Sequence, residues 1–183
     1  AFMYRCHPQT RRLVELVMEG IIGDVRAIQA TFSFAAAVGS VPRIFRNDLG
    51  GGGILDVGCY CTSMARLIAG VAHGRDFAEP HMVTGCASLG IAGGNAHTGR
   101  VYVDHIAMAG LLFPDDIVAT LSTGVVVNQE NVLRIFGTKG HIYVPEPWAP
   151  SREGGTSTIY AHVQGENERR KLAPLLRETT RID

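Results

Sequence analysis

An aspartate and a tyrosine, four residues apart on a predicted helix, form the pair best suited to proton transfer. Asp56 and Tyr60 follow the glycines at 50–53, and their i, i+4 spacing places them on one helical face. The carboxylate can orient the phenol, which can act as a general acid or base if a nearby cation lowers its pKa from about 10. The alternative is structural: Asp56 interacts with the glycine-rich helix start, and Tyr60 packs.

Two clusters of polar side chains are further candidates. Tyr4, Arg5 and His7 lie near the start of the chain, and Arg43 and Arg46 precede the glycines. Arginine binds carboxylates and phosphates through a planar fork of donors. A solvated or structural arginine is the alternative at each position.

The glycine-rich turn fails both phosphate-binding motifs. A P-loop needs a Lys–Ser/Thr pair after its second glycine, but Cys59 and Tyr60 follow Gly58. In the dinucleotide pattern G-x-G-x-x-G, Asp56 stands where the third glycine is required. The glycines are more consistent with a close approach of the backbone to another surface, such as a cofactor held elsewhere.

The remaining titratable residues show no metal-binding spacing, and we predict no metal site. Asp104 and His105 are adjacent in a predicted strand, so one of them must face inward or toward an interface. No cysteine pair has Cys-x-x-Cys spacing, which favours small hydrophobic or bystander roles in a reducing compartment. The cysteines are Cys6, Cys59, Cys61 and Cys86.

Composition bounds the class of protein. The 183 residues fit one domain of ordinary size, and 46% hydrophobic against 19% charged residues argues against disorder. Seventeen basic and seventeen acidic residues give a net charge of zero, which argues against a nucleic-acid partner. We also see no signal peptide and no apolar run near the length of a membrane span, so we expect a cytoplasmic protein.

The periodicity predicts helices early and strands later. Helical patterns cover residues 8–19 and 54–69, and a strand pattern covers residues 25–37. Short turns join the later strands, so we expect an α+β fold with a mostly antiparallel open sheet and helices on one face. The domain would span 1–165, with a charged arm at 166–183. The later strands are predicted at 81–92, 101–113, 117–127, 132–136, 141–144 and 156–164.

The other face of such a sheet must be covered. A set of small or apolar residues in two strands could receive a second subunit, giving a dimer or tetramer, although solvent or the terminal arm could cover it instead. These residues are Ala107, Ala109, Leu111, Ala119, Leu121 and Thr123.

Three segments, in order, resemble the C-terminal domain of the glucose–fructose oxidoreductase / inositol dehydrogenase (Gfo/Idh/MocA) family. Residues 1–9, AFMYRCHPQ, are similar to the strand that enters this domain from the nucleotide-binding domain. Residues 51–60, GGGILDVGCY, resemble the family's G-G-G-x-L-x-D-x-G-x-[H/Y] helix. Residues 133–140, LRIFGTKG, resemble its late hairpin, which an apolar strand and the Pro-x-Pro-Trp stretch at 145–148 follow.

The resemblance implies an NAD(P)-dependent oxidoreductase that moves a hydride between nicotinamide and a sugar, polyol or related carbonyl compound. Tyr60 looks like the proton donor or acceptor of the branch containing dihydrodiol and xylose dehydrogenases, and Asp56 matches the family's aspartate on that helix. The same resemblance implies four residues bordering the substrate and two glycines contacting the cofactor. They are Arg5, His7, Arg43 and Arg46 for the substrate, and Gly52 and Gly53 for the cofactor.

Two family features have no counterpart in this sequence. The Rossmann domain is absent, and so is the lysine of the Glu-Lys-Pro motif, which lowers the pKa of the tyrosine. Neither Lys139 nor Lys171 is placed to replace it. We therefore expect the C-terminal substrate and oligomerisation domain of a larger enzyme, with NAD or NADP bound mainly by the absent N-terminal domain and no turnover by this chain alone.

Two alternatives stay open. One is a non-catalytic binding or dimerisation module derived from the same family, which the missing lysine and Rossmann domain would favour if the chain is naturally short. The other is a hydrolase of the same fold that cleaves glycosidic bonds through a transient NAD-dependent oxidation.

Overall fold

One mixed β-sheet with helices packed on one of its faces forms the framework of the chain. The computed structural model describes residues 2–37, 42–91, 102–151, 156–164 and 175–181. The helices are α1 (Pro8–Met18) and α2 (Cys59–Val71), and a π-helical turn, Ile54–Gly58, leads into α2. The strands are β1 (Val25–Ser33), β2 (Met82–Ile91), β3 (Tyr102–Leu112), β4 (Val118–Gly124), β5 (Leu133–Gly137), β6 (Gly140–Val144), β7 (Thr156–Val163) and β8 (Leu175–Arg181).

The sheet order confirms the predicted α+β class. The eight strands lie in the order β2-β3-β4-β1-β5-β6-β7-β8. Among these strands β1 and β4 pair in parallel and every other neighbouring pair is antiparallel. The tight turns predicted between β3 and β4 and between β5 and β6 therefore join hydrogen-bonded neighbours.

The core lies between the two helices and one face of the sheet. Pro8 occupies the first turn of α1, where its missing N–H is not needed, and Leu13 and Leu16 are buried beneath that helix. Met64 and Ile68 of α2 are buried in the same cluster, and α2 contacts β1 and β4. This packing fixes α2, and with it Tyr60, against the centre of the sheet.

Strand β1 ends earlier than the sequence pattern indicates. Its pattern runs to residue 37, but the strand stops at Ser33, whose N–H donates to Asn131 Oδ1 at 2.8 Å. The Ala35 N–H donates to Asn128 Oδ1 at 2.9 Å. Side-chain acceptors thus replace the backbone ladder on the β5 side of β1, whereas the Phe34 and Ala36 N–H groups still donate to the Gly124 and Val125 carbonyls on the other side.

The residues that we predicted on the uncovered face lie on the opposite one, so this prediction was wrong. Ala107, Ala119 and Leu121 are buried, on the face of β3 and β4 that the helices cover. The error has a physical cause, because β3 and β4 are apolar on both faces and a period of two does not tell which face is covered. The remaining predicted positions, Ala109, Leu111 and Thr123, share the helix-covered face.

The open face instead presents two parallel rows of side chains. One row is largely apolar and crosses seven strands in register: Met82, Leu112, Val118, Ala27, Phe136, His141 and His162. The next row is polar and aromatic: Thr84, Gly110, Thr120, Gln29, Arg134, Tyr143 and Tyr160. Met82, Met108 and Val118 are each about half exposed there, at 52%, 55% and 47%.

The predicted terminal arm contributes an edge strand. β8 pairs antiparallel with β7, with Thr158 opposite Thr179. Residues 165–174 lie outside the described part of the chain, so the division at 165/166 stays a prediction.

One helical stretch is long and apolar enough, by length and hydropathy, to span a membrane. No such stretch was predicted from the sequence. The stretch is Asn47–Val71, with a mean hydropathy of 1.3 over its best window. Of that window, 56% is buried inside the chain's own fold, as expected for a core helix.

Candidate active site

The helix that carries Asp56 and Tyr60 begins in a wide turn. The Cys59 N–H donates to the Ile54 carbonyl five residues earlier, which makes Ile54–Gly58 π-helical before α2 continues. Turns of this kind are rare and occur often at functional sites.

Asp56 forms an ion pair with Arg43, whose guanidinium Nη2 donates a hydrogen bond to Asp56 Oδ1. The Asp56 side chain is only 17% exposed, whereas that of Arg43 is 49% exposed. Two of the predicted site residues therefore meet, but Arg43 neutralises the aspartate at the start of the helix. Arg46 does not join them, since it pairs with its neighbour Asp48 in an exposed position.

Tyr60 lies within a cluster of aromatic rings. Its ring centroid is 5.1 Å from that of Phe2, 5.3 Å from Phe32 and 5.8 Å from Tyr4. Trp148 is 6.4 Å away and also contacts Tyr4 and Phe32. Three segments distant in sequence, at Phe2–Tyr4, Phe32 and Trp148, thus converge on the tyrosine and hold its ring in place.

The surroundings of Tyr60 favour its protonated form. Burial raises the pKa of the phenol first, and the nearby Cys59 and Asp56 add to the increase. The phenol therefore carries its proton at neutral pH, as a proton donor must. To accept a proton near neutral pH, the same phenol would need a cation close to it.

The segment before α1 is tied to α2 by Ser63. The buried Tyr4 hydroxyl donates to Ser63 Oγ at 3.0 Å, and the Arg5 guanidinium donates to Ser63 Oγ and, at 3.3 Å, to the Ser63 carbonyl. The Arg5 guanidinium also lies over Phe77, 4.5 Å from the ring centroid. Arg5 is therefore close to the helix that bears Tyr60, as a substrate-bordering residue would be, but its visible contacts are structural.

His7 caps helix α1. Its Nδ1 accepts a hydrogen bond from the Gln9 N–H at 3.0 Å, and burial lowers the pKa of the ring. Its Nε2 is enclosed and makes no hydrogen bond to any residue within the described ranges. The geometry assigns this histidine a capping contact, while its predicted role at the substrate stays a prediction.

The glycines before the helix face a residue that sequence reasoning had not assigned to the site, Asp104. The Ile54 N–H donates to Asp104 Oδ2 at 2.7 Å. A Cβ built on Gly52 would lie 2.2 Å from Asp104 Oδ1, and one on Gly53 would lie 3.1 Å from Oδ2. The glycines thus allow the backbone before the helix to approach strand β3 closely. The signal was present in the sequence, as an aspartate inside an apolar strand.

A cavity of about 880 Å³ adjoins the aromatic cluster. Phe32 and Trp148 belong to both, and the polar wall includes Ser33, Asn131 and Glu146. Asn131 is held in place, because its Nδ2 donates to the Ser33 carbonyl at 2.9 Å and its Oδ1 accepts from the Ser33 N–H. Sequence reasoning did not assign these side chains to a site.

A second cavity, of about 830 Å³, lies between α2 and the projecting strands β2 and β3. Its walls are mostly apolar and include Ala87, Ala107 and Leu121, and the Arg66–Glu79 ion pair stands at its rim. Within the described ranges there is no group of three or more His, Cys, Asp or Glu side chains placed to hold a metal ion.

Comparisons with known proteins agree with the resemblance seen in the sequence. The model of the GFO/IDH/MocA C-terminal domain matches residues 10–143. The uncharacterized oxidoreductase ORF334 of Rhizobium meliloti is 30% identical over 184 residues, covering 100% of this chain and 48% of that protein. Trans-1,2-dihydrobenzene-1,2-diol dehydrogenase of Xenopus tropicalis is 32% identical over 152 residues, covering 82% of this chain and 41% of the relative.

A solved structure shares the fold along nearly the whole chain. The aldose-aldose oxidoreductase of Caulobacter crescentus, complexed with glycerol, has a TM-score of 0.68 and 26% identity, covering 95% of this chain and 47% of that one. The chain spans about half the length of the curated relatives that it matches over most of its residues. The family match covers well over half of the chain, and the chain therefore belongs to the Gfo/Idh/MocA family, as its C-terminal domain.

Proposed function

We propose that this chain is the substrate and oligomerisation domain of an NAD(P)-dependent oxidoreductase acting on a sugar, polyol or related carbonyl compound. The observation that carries the proposal is the position of Tyr60, held by aromatic rings beside a cavity with a polar wall. Relatives named as dihydrodiol and D-xylose 1-dehydrogenases support the reaction class.

The role of Tyr60 is to exchange a proton with the reacting oxygen of the substrate. In reduction its phenol, which is protonated at neutral pH, donates to the carbonyl oxygen. In oxidation the phenol must accept the hydroxyl proton, which requires a cation that lowers its pKa. We infer that this cation comes from the part of the enzyme outside the chain.

The cavity beside Tyr60 suits a small polyhydroxylated ring. Phe32 and Trp148 offer flat apolar surfaces, while Asn131 and Glu146 provide hydrogen-bonding groups. Sugars present an apolar face and a rim of hydroxyls, so a wall of this mixed kind matches their chemistry. Neither Arg5 nor His7 is among the residues that line this cavity, so their role at the substrate stays a prediction from the family resemblance.

The described residues do not fit a dinucleotide by themselves. The space before the helix is filled by the Asp104 carboxylate, whose negative charge would repel a pyrophosphate. The nicotinamide, when bound, supplies or accepts the hydride, and we assign its binding to the absent domain. Contact of the cofactor with Gly52 and Gly53 stays a prediction, as do the choice of NAD or NADP and the inactivity of the chain alone.

The test uses the complete protein and measures absorbance at 340 nm with NAD⁺ or NADP⁺. The probes are D-xylose, D-glucose and trans-1,2-dihydrobenzene-1,2-diol. Tyr60→Phe should lower kcat by about 10²- to 10⁴-fold on the best probe, the usual contribution of a general acid or base. Tyr102→Phe, on strand β3, is the matched control and should leave kcat unchanged.

Two results would contradict the proposal. Full activity of Tyr60→Phe would remove the tyrosine from the mechanism. Absence of turnover on every probe, together with unimpaired assembly, would favour the non-catalytic module.

We further propose that two copies of the domain associate through the open face of the sheet. Eight strands about 4.8 Å apart and about 20 Å long give a face on the order of 700 Å², close to the about 800 Å² per partner of a stable interface. The exposed Met82, Met108 and Val118 lie on this face. Covering them would remove one roughly half-exposed apolar side chain from each of β2, β3 and β4 from water.

Thiol labelling tests this interface, because Cys86 lies beside Met108 on the open face. Cys86 and Cys6 are both exposed in the single chain. In the assembled protein, Cys86 should react with a thiol reagent at least about tenfold more slowly than Cys6, and Val118→Glu should produce monomers and equalise the rates. Equal rates in an oligomer would show that the copies meet elsewhere.

Localisation stays an inference from the cysteines. All four are free thiols, which suits the cytoplasm because that compartment keeps thiols reduced. We therefore propose a cytoplasmic enzyme. The net charge of zero argues separately against a nucleic-acid or polybasic membrane partner.

A further inference from the structure

We propose that Asp104 is a positioning residue of the active site: from strand β3, its carboxylate fixes the start of the helix that carries Asp56 and Tyr60. The inference rests on the proposed function, because the value of a fixed helix start depends on the role of Tyr60. Asp104 lies outside the three segments that resemble the family, at 1–9, 51–60 and 133–140.

The contact between Asp104 and the helix start is close and directional. Its Oδ2 accepts the Ile54 N–H at 2.7 Å, and its Oδ1 lies where a side chain at Gly52 would stand. Gly52 has φ +104°, a conformation that residues with a Cβ rarely adopt. The glycines and the aspartate therefore form one unit, since any other residue at position 52 would displace the carboxylate.

The first peptide groups of a helix lack internal acceptors, and their partial positive charge attracts a carboxylate. Aspartate and asparagine usually supply this contact from the N-cap position of the helix itself. Here the position is occupied by glycine, and no side chain from within the helix caps it. Asp104 supplies the missing acceptor from another element, which ties the helix start to the sheet.

An irregularity in the strand aims the carboxylate. The pairing of β2 with β3 shifts by one residue between Ser88 and Leu89, so that Ile106 and Asp104 occupy successive paired positions. A bulge of this kind re-aims a side chain and bends its strand. Without the shift, the regular alternation of β3 would place the Asp104 side chain on the same face of the sheet as that of Ile106.

Neighbouring contacts hold the other side of the turn. The buried Thr123 hydroxyl of β4 donates to the Gly53 carbonyl at 3.1 Å, and the Gly52 N–H donates to the Ile44 carbonyl at 2.8 Å. Asp104 is the charged member of this set. Burial raises the pKa of the Asp104 carboxyl, and the backbone donors only partly offset this increase.

Tyr60 lies six residues after Ile54, so loosening of the first turn would shift its phenol. A misplacement of about 1 Å at a reacting group can lower a rate about 10²-fold. The aromatic rings hold the tyrosine from the side, and Asp104 holds its helix from the end. The two restraints together fix the position of the hydroxyl.

The experiment compares Asp104→Ala with Asp104→Asn in the complete protein. Alanine removes the acceptor, whereas asparagine keeps the shape and one acceptor oxygen. The exposed acid Asp24 provides a matched control, Asp24→Ala. Two readouts are followed: hydrogen exchange of the Ile54 amide, and kcat with NADP⁺ and the best of the probes named above.

Asp104→Ala should speed exchange at Ile54 at least about tenfold and lower kcat about 10- to 100-fold. KM for NADP⁺ should change less than about twofold, since the cofactor is held mainly elsewhere. Asp104→Asn should restore both readouts to within about threefold of the parent, and Asp24→Ala should change neither.

Each contrary result has a distinct meaning. Unchanged exchange or unchanged kcat in Asp104→Ala would overturn the inference. If Asp104→Asn were as impaired as Asp104→Ala, the negative charge would be required, and positioning through the hydrogen bond would be rejected. If the parent protein turns over no probe, the proposed function fails. Exchange at Ile54 and the ring carbon shifts of labelled Tyr60 would then still decide whether Asp104 holds the helix.

Discussion

The indole ring of Trp148 stacks on the phenyl ring of Phe32, with 5.5 Å between their centroids and 10° between their planes. Both rings line the larger cavity, and both contact Tyr60 at right angles. The indole N–H also donates to the Thr31 carbonyl at 2.7 Å. Trp148 therefore links the wall of this cavity, strand β1 and the tyrosine.

Replacing Trp148 should separate packing from hydrogen bonding. Trp148 is 3% exposed, so Trp148→Ala should lower the free energy of unfolding by about 3–5 kcal/mol through loss of buried area and a cavity. Trp148→Phe keeps a ring for stacking, and should cost about 1–3 kcal/mol because the Thr31 carbonyl loses its donor. Urea denaturation followed by circular dichroism measures both. Equal losses in the two variants would contradict a stacking contribution.

Alkaline pH should destabilise the fold through buried thiol and phenol groups. Burial raises the pKa of Cys61 far above its ordinary value, and burial also raises that of Tyr60. The unfolded chain loses these protons first, so the stabilisation is complete below the unfolded thiol pKa of about 8.5 and falls as the pH rises.

The measurement is the urea midpoint at pH 7.5 and at pH 9.5. Cys61→Ala should reduce the difference between the two midpoints, whereas Cys86→Ala, at an exposed position, should leave it unchanged. A difference that persists in full in Cys61→Ala would refute a contribution from this thiol.

Acidic pH should act through a histidine pair on the open face. His141 and His162 stack across β6 and β7 with 5.0 Å between ring centroids. Burial lowers the pKa of His141, and His162 lowers it further. The folded state thus holds the imidazole neutral, and stability present above about pH 6.5 is lost as the pH falls through the lowered pKa.

Unfolding at pH 7.5 and pH 5.5 tests the pair. His162→Gln should make the loss on acidification smaller, because it removes the neighbouring charge. His81→Gln, at an exposed position, serves as the control. Burial also lowers the pKa of His7, which is present in every variant. The comparison therefore concerns only how each variant changes the slope, meaning the loss of unfolding free energy between pH 7.5 and pH 5.5. An unchanged slope in His162→Gln would count against the coupling.

Two glycine substitutions should separate backbone strain from steric collision. Gly20 and Gly52 both have positive φ, at +65° and +104°, but only Gly52 has a neighbour in the way, Asp104. Gly20→Ala should cost about 1 kcal/mol from the left-handed backbone. Gly52→Ala should cost about 2–5 kcal/mol, since a displaced carboxylate adds to the strain.

A double variant identifies the collision. Adding Asp104→Ala to Gly52→Ala should recover part of the loss, because the two side chains compete for the same space. Thermal unfolding of the single and double variants gives the coupling energy. Strict additivity would mean that the backbone conformation alone accounts for the cost of Gly52→Ala.

The sequence determined the elements and the family. Period-two and helical patterns predicted most strands and both helices within a few residues of their observed bounds. They could do so because the spacing of apolar residues in an element reflects which of its faces is buried. The glycines before Asp56 and Tyr60 likewise marked the start of α2. Those features are local, and a single segment is enough to express them.

Only the tertiary structure decided which distant residues meet. The covered face of β3 and β4 could not be predicted, since both faces are apolar and the helices select one. Asp104 reaches the helix start, and Trp148 reaches Tyr60, from positions far along the chain. Such contacts depend on strand order and register, which long-range packing sets, and no local periodicity records them.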